Sequence, residues 1–110
     1  MASEGGGAEA PVVVRDDRAQ SRYEVYAGDD LAGFLQYELG SGRIALVHTE
    51  VKPAYGGRGL AARVVTEALD DARARALAVL PFCPYVRRFL STHRDYVDLV
   101  PEPRRKAFGL

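Results

Sequence analysis

Chemistry in this sequence concentrates in one run, His48-Thr49-Glu50-Val51-Lys52-Pro53-Ala54-Tyr55-Gly56-Gly57-Arg58-Gly59-Leu60-Ala61. A glycine-rich turn leading from a strand into a helix lets several backbone N–H groups point into one concavity, and the positive end of the helix dipole adds to them. Such a turn holds an anion. Gly57 and Gly59 permit positive φ and carry no side chain to block a phosphate, while Ala61 keeps the first helical turn small. A diphosphate is the expected ligand. Gly-Lys-Ser/Thr is absent, so the turn is not a Walker loop. The elements ahead of it are consecutive strands with no intervening helix, so it is not a dinucleotide-binding βαβ turn either.

Two further side chains can react. Cys83 precedes Pro84 at the start of a predicted helix, where the helix dipole would favour a nucleophilic thiolate; the same position equally suits a small buried hydrophobe closing a strand. His48 is a candidate general base, for an amine or for Cys83, or a hydrogen-bonded histidine on a sheet face. The two are expected near the ends of adjacent parallel strands, which makes a contact between them geometrically reasonable. Alternation puts Glu50 on the face of His48, able to act through water or simply solvated. Tyr85 and Tyr96 are candidate acids or core aromatics, His93 is expected to cap or flank the second helix, and Arg58 is positioned to reach a phosphate.

These residues need a scaffold, and 110 residues suffice for one domain. A 47% apolar and 27% charged composition is that of an ordinary globular chain. Zero net charge from fifteen basic and fifteen acidic residues argues against a nucleic-acid partner, which needs a broad positive field. No apolar run approaches the roughly 20 residues that cross a bilayer, and Met1 to Ala10 lacks the features of a secretion signal, so no membrane partner and a cytoplasmic location are expected. One cysteine and two histidines offer neither an internal disulfide nor a metal site.

Met1 to Ala10 reads as a flexible leader. Strands are expected at Pro11–Arg15, Arg22–Ala27, Leu31–Leu39 and Arg43–Val51, joined by turns at Asp16-Asp17, Gly28-Asp29-Asp30 and Gly40-Ser41-Gly42. In the fourth strand Ile44, Leu46, His48 and Glu50 are expected to share one face. The period then changes: Ala61, Val64, Val65, Ala68, Leu69, Ala72 and Ala76 recur at helical spacing, predicting an amphipathic helix from about Gly59 to Ala76 that packs on the meander. A short strand over Leu77–Phe82 and a second helix opening at Cys83-Pro84 and running to Thr92 follow. Asp95 to Val100 is helical or extended, and Glu102 to Leu110 is expected to form a frayed basic tail. The fold class is α+β: an antiparallel meander, a long helix, a short parallel strand and a C-terminal helix in a single domain over residues 11–101.

Val51-Lys52-Pro53 and Gly56-Gly57-Arg58-Gly59-Leu60-Ala61 resemble the acyl-CoA signature of the GNAT N-acetyltransferase superfamily, Val-x-Pro followed by Arg/Gln-x-x-Gly-x-Gly/Ala, with Gly56 in place of the usual Arg or Gln. The chain is similar in particular to minimal GNAT-like proteins of the YjdJ type. That similarity rests on His48-Thr49-Glu50-Val51, Gly57-Arg58-Gly59-Leu60-Ala61, Pro81-Phe82-Cys83-Pro84-Tyr85-Val86 and His93-Arg94-Asp95-Tyr96, which span about residues 12 to 101. Ala76, where a helix-ending Gly is usual, and Arg94, where Pro is usual, are its departures. The resemblance implies a GNAT-like fold without the usual first two helices, with acetyl-CoA as co-substrate, an unidentified amine as acceptor and no metal. It implies Cys83 beside the CoA sulfur; with His48, the candidate base read above, Cys83 makes up the expected catalytic pair. The implied cofactor-binding set is Thr49, Glu50, Val51, Gly56, Gly57, Arg58, Gly59, Leu60, Ala61 and Tyr85, with pantetheine pairing near Val51 and a backbone N–H near Thr49 or Glu50 polarising the thioester. The alternative is a non-catalytic acyl-CoA-binding or sensing module; a small interaction protein, with the turn as mere connector, is a third reading. A bare sheet face leaves monomer and homodimer both open.

Overall fold

The computed structural model describes residues 10–110. The leader expected over Met1 to Ala10 lies, apart from Ala10, outside the described residues. Five strands form one sheet in the order β1-β2-β3-β4-β5: β1 (Val12–Asp17), β2 (Arg22–Ala27), β3 (Asp30–Gly40), β4 (Arg43–Val51) and β5 (Ala78–Pro81). The first four make an antiparallel meander, and β5 joins β4 in parallel after the crossover helix α1 (Leu60–Ala74). Helix α2 (Pro84–Thr92), a 3₁₀ segment (Arg94–Leu99) and the short helix α3 (Glu102–Arg105) complete the chain. This is the expected α+β arrangement. No helix among the described residues is long and apolar enough to cross a membrane.

α1 lies across one face of the sheet because its apolar positions return at helical spacing. Leu60, Val64, Val65, Ala68, Leu69 and Ala72 are buried against Val25, Leu35, Ile44 and Leu46 of the strands. Ala68 and Ala72 let the helix axis approach closely. The pairing of Asp71 with Arg75, 3.2 Å, is not confined to solvent: the Tyr23 hydroxyl, from β2, also donates to Asp71. The Tyr37 hydroxyl donates to Asp16 at 2.6 Å. Asp16 and Asp17, expected as a turn, therefore belong to β1, where pairing with Tyr23 and Arg22 extends the strand. Burial, reinforced by the bond to Asp16, pushes the Tyr37 phenol up to about 12.

The tail is folded, not frayed. Glu102–Arg105 is helical, the Arg105 guanidinium donates to the Val100 carbonyl at 2.9 Å, and Phe108 is buried with its ring edge-on to Phe82. Apolar residues spaced through a basic segment had enough surface to cover the end of β5, and that contact outweighs local charge. Asp95 to Val100 resolves as the 3₁₀ segment, tied to α1 by Tyr96 to Asp70 at 2.7 Å and by Arg73 to Asp98 at 2.8 Å.

α1 ends at a left-handed residue. Ala76 has φ 55°, the Leu77 N–H donates to the Ala72 carbonyl and the Ala76 N–H to the Arg73 carbonyl, the two bonds of a Schellman stop. Glycine would hold this conformation without steric cost. Ala76→Gly is expected to stabilise the protein by about 0.5–1 kcal/mol in chemical denaturation; a loss of stability would show that Ala76 is not strained.

Candidate functional site

The site is built around an irregularity in β4. Gln36 pairs with His48, and the next residue of β3, Tyr37, pairs with Leu46, so Val47 is an extra residue in β4, a β-bulge. One extra residue reverses the alternation of side chains. Ile44 and Leu46 point toward α1 and are buried, whereas His48 and Glu50 emerge on the opposite, open face and Thr49 takes the inward position. The expectation that Ile44, Leu46, His48 and Glu50 share a face is therefore corrected, since strict alternation cannot pass through a bulge.

That reversal also separates the expected Cys–His pair. Cys83 is 2% exposed and its Sγ lies 3.4 Å from the Thr49 Oγ1 on the α1 side. His48 instead places Nε2 3.1 Å from the Glu50 carboxylate, its side chain 54% exposed, with the edge of the Phe34 ring beside it. Cys83 and His48 thus project to opposite sides of β4. The missed partner of Cys83 is the Thr49 hydroxyl, which sequence alternation without the bulge had assigned to the other face.

Beyond the bulge β4 loses its neighbour. The parallel pairing of β5 runs from Arg43↔Ala78 to Leu46↔Pro81 and stops, because proline has no N–H to continue the ladder. A last bond from the Cys83 N–H to the Leu46 carbonyl, 2.9 Å, closes the crotch. Cys83 is the N-cap residue of α2, Pro84 takes the first helical position, and the Arg87 guanidinium holds the Phe82 carbonyl at 2.6 Å. On β4 the Lys52 N–H donates to the Ala32 carbonyl of β3. In an antiparallel ladder these groups alternate, so the N–H and C=O of Thr49 and Val51 point away from β3, along the edge β5 has left. That edge is free to pair with an extended ligand.

The edge leads to the glycine turn. A 3₁₀ turn, Pro53–Tyr55, is moored by the Tyr55 hydroxyl to Asp30 at 2.8 Å, and the Arg58 guanidinium lies 5.4 Å from the centre of the Tyr55 ring. The bond to Asp30 holds the Tyr55 phenol above its ordinary pKa. Gly57 and Gly59 have φ 77° and 74°, and a Cβ at either would meet no atom within 4 Å, so the concavity ahead of the helix is open. Gly59 is the N-cap of α1; having no side chain, it caps none of the N–H groups of the first turn, and that turn carries no acidic residue. The first helical bond is Arg63 N–H to the Gly59 carbonyl, which leaves the amides of Leu60, Ala61 and Ala62 outside the ladder. Uncapped donors, the helix dipole and absent Cβ atoms fit a diphosphate. Gly56, with φ −63°, is in ordinary backbone and contributes only its main chain.

The other candidates divide. Tyr85 is half-buried in the first turn of α2, with Arg88 over its ring. Tyr96 is bound to Asp70 and its phenol is held above the ordinary range by that bond, so it belongs to the scaffold. His93 ends α2, stacked on Phe89 with Nδ1 2.8 Å from the Phe89 carbonyl. A hollow of ≈ 240 Å³ between β1, β2 and α1, lined by Asp16, Tyr23, Glu67 and Asp71 among others, lies away from the glycine turn. Among the described residues, no group of three or more His, Cys, Asp or Glu side chains is placed to hold a metal ion.

Comparison with known proteins gives the same frame. Residues 22–99 match a family model described as GCN5-related N-acetyl-transferase. The chain is 33% identical over 82 residues to Protein NATD1 of Bos taurus, with 73% of each chain covered. Gly59→Ala is expected to cost about 1 kcal/mol of stability because φ is positive there, whereas Gly56→Ala stays within about 0.5 kcal/mol; equal costs in urea denaturation would contradict the turn geometry.

Proposed function

The chain belongs to the GCN5-related N-acetyltransferase family, and from that premise we propose that it transfers the acetyl group of acetyl-CoA to a primary amine. The observation that carries this reading is the parting of β5 from β4 beyond Leu46↔Pro81, which opens a strand edge between an uncapped helix N-terminus and an exposed His–Glu pair. The main-chain amides from Gly57 to Ala62 hold the diphosphate of the co-substrate. Arg58 flanks it as a counter-charge. The free edge of β4 at Thr49 and Val51 pairs with the pantetheine amides, and an N–H along the same edge polarises the thioester carbonyl.

The amine reaches the enzyme as an ammonium ion and attacks once one proton has gone to water. Its nitrogen forms a bond to the acetyl carbon, the carbon–sulfur bond breaks, and CoA leaves as a thiolate. His48, oriented by Glu50, accepts the proton the nitrogen sheds as the amide forms. The Tyr85 hydroxyl, in the first turn of α2 beside the crotch, protonates the thiolate. Cys83 is buried and bonded to Thr49 with no base beside it, so the geometry favours direct attack over an acetyl-cysteine intermediate. Cys83 packs the wall of the thioester site.

Thiol release from acetyl-CoA, followed with lysine peptides, polyamines and alkylamines, tests the proposal. Amine-dependent turnover is expected, with His48→Gln lowering kcat about 10²-fold and Cys83→Ser remaining within about tenfold of the parent. Release no faster than buffer for every amine leaves a non-catalytic acyl-CoA-binding module. Loss of turnover in Cys83→Ser, with an acetyl mass on the parent that the variant lacks, would replace direct attack by the covalent route.

A further inference from the structure

The side from which an acceptor can enter is fixed by what already fills the crotch. On the α1 side stand Leu46, Cys83 and Val86, at 1%, 2% and 0% exposure, together with Thr49 bonded to the cysteine. No amine passes there without unfolding α2. The opposite face presents two features on either flank of the bulge. Toward the end of β4 is the His48–Glu50 pair, followed across the sheet by Phe34, which lies under the Arg22 guanidinium at 4.9 Å. Arg22 is in turn bound to the buried Glu24 at 2.8 Å. The local charges are therefore matched within the protein itself.

Toward the start of β4, Glu38, Ala45 and Leu80 stand side by side in one row across β3, β4 and β5, at the base of a hollow of ≈ 220 Å³. Its walls are Leu39, Gly40, Arg43 and Phe82. Phe82 is 47% exposed, one of the three large apolar side chains most open to solvent among the described residues, whereas Leu39 pairs with Ile44 and its side chain leaves from the α1 face. Phe82 immediately precedes Cys83, and Ala45 immediately precedes Leu46, so the hollow adjoins the bond that closes the crotch. One carboxylate, Glu38, and one guanidinium, Arg43, line it and offset each other. A site for polyamines or basic peptides needs an excess of carboxylates, and this lining has none.

We infer that the acceptor is a monoamine carried on an apolar stem, with the stem in the Ala45–Leu80–Phe82 hollow and the nitrogen over the bulge beside His48. This rests on the acetyltransferase reading above and adds the acceptor class and its side of approach. Burying a stem of several methylenes or one aromatic ring on these side chains favours such an amine over ethylamine by a tenfold or larger factor, since each buried methylene contributes about 0.8 kcal/mol.

Two measurements on the full chain separate this inference from the reading it rests on. In turnover with acetyl-CoA, kcat/KM for hexylamine and phenethylamine is expected to exceed that for ethylamine, spermidine and a lysine peptide by about tenfold or more. Phe82→Asp, a change at a half-exposed position, is expected to collapse that ratio toward one. In NMR of the protein saturated with free CoA, where no transfer occurs, phenethylamine is expected to shift the amides of Ala45, Leu80 and Phe82. Shifts there without turnover of any amine would overturn the enzyme and keep the hollow as an amine site. Turnover that prefers spermidine or the peptide, or a preference for apolar amines that Phe82→Asp leaves intact, would overturn the inference and keep the enzyme. Neither shifts nor turnover overturns both.

Discussion

Val47 has no partner on β3, and the open edge of β4 with the His48–Glu50 pair beside it follows from that single unpaired residue together with the proline that ends β5. A bulge reverses which side chains face the core, so β4 buries Ile44 and Leu46 in its first half and Thr49 in its second. His48 and Glu50 are thereby delivered to the open face. Proline at position 81 cannot donate to the ladder, so β4 keeps a partner for four residues and then runs on as an unpaired edge inside the fold. Edge strands elsewhere invite uncontrolled pairing. Here the edge is short, recessed between α1 and α2, and of a length suited to an extended ligand.

In the proposed reading the glycine turn holds the other end of that ligand. A helix whose N-cap is glycine forgoes a side-chain cap, at a cost of roughly a few tenths of a kcal/mol relative to serine or aspartate. In this chain the turn is held instead from behind, by Tyr55 on Asp30 and by the Lys52 N–H on Ala32, so its amides keep their direction without a cap. That arrangement spends local helix stability to leave donors open, the pattern of a segment shaped by a ligand more than by the fold. The sheet's opposite face is built on a different principle. Its charges are paired among themselves, Arg22 with Glu24 and His48 with Glu50, and Phe82 stands exposed over Ala45 and Leu80 at the hollow beside β5.

The order of elements was legible in the chain because each rests on a local signal: β-branched or aromatic runs bounded by glycine and aspartate, one change of period at Leu60, and prolines at positions 81 and 84. The glycine turn was legible for the same reason, since its glycines lie within four residues of one another. What could not be read was any feature set by two distant segments at once. Whether Val47 or a neighbour is extra depends on the register of β3, and nothing in Arg43–Val51 marks it. Alternation alone therefore puts His48 beside Cys83 and gives Thr49 no role beyond its backbone. Asp16 looked like a turn residue because its partners, Tyr23 and Tyr37, lie on other strands. The tail looked frayed because Phe108 finds its partner, Phe82, twenty-six positions earlier.

The most direct test of the account is a titration of isotopically labelled protein with CoA, following each backbone amide. Saturable shifts are expected at Gly57 through Ala62 and along Thr49 to Val51, and Gly59→Asp, which puts a carboxylate into the concavity, is expected to abolish them while the remaining spectrum stays folded. Shifts confined to other surfaces, or an undiminished response in Gly59→Asp, would contradict it.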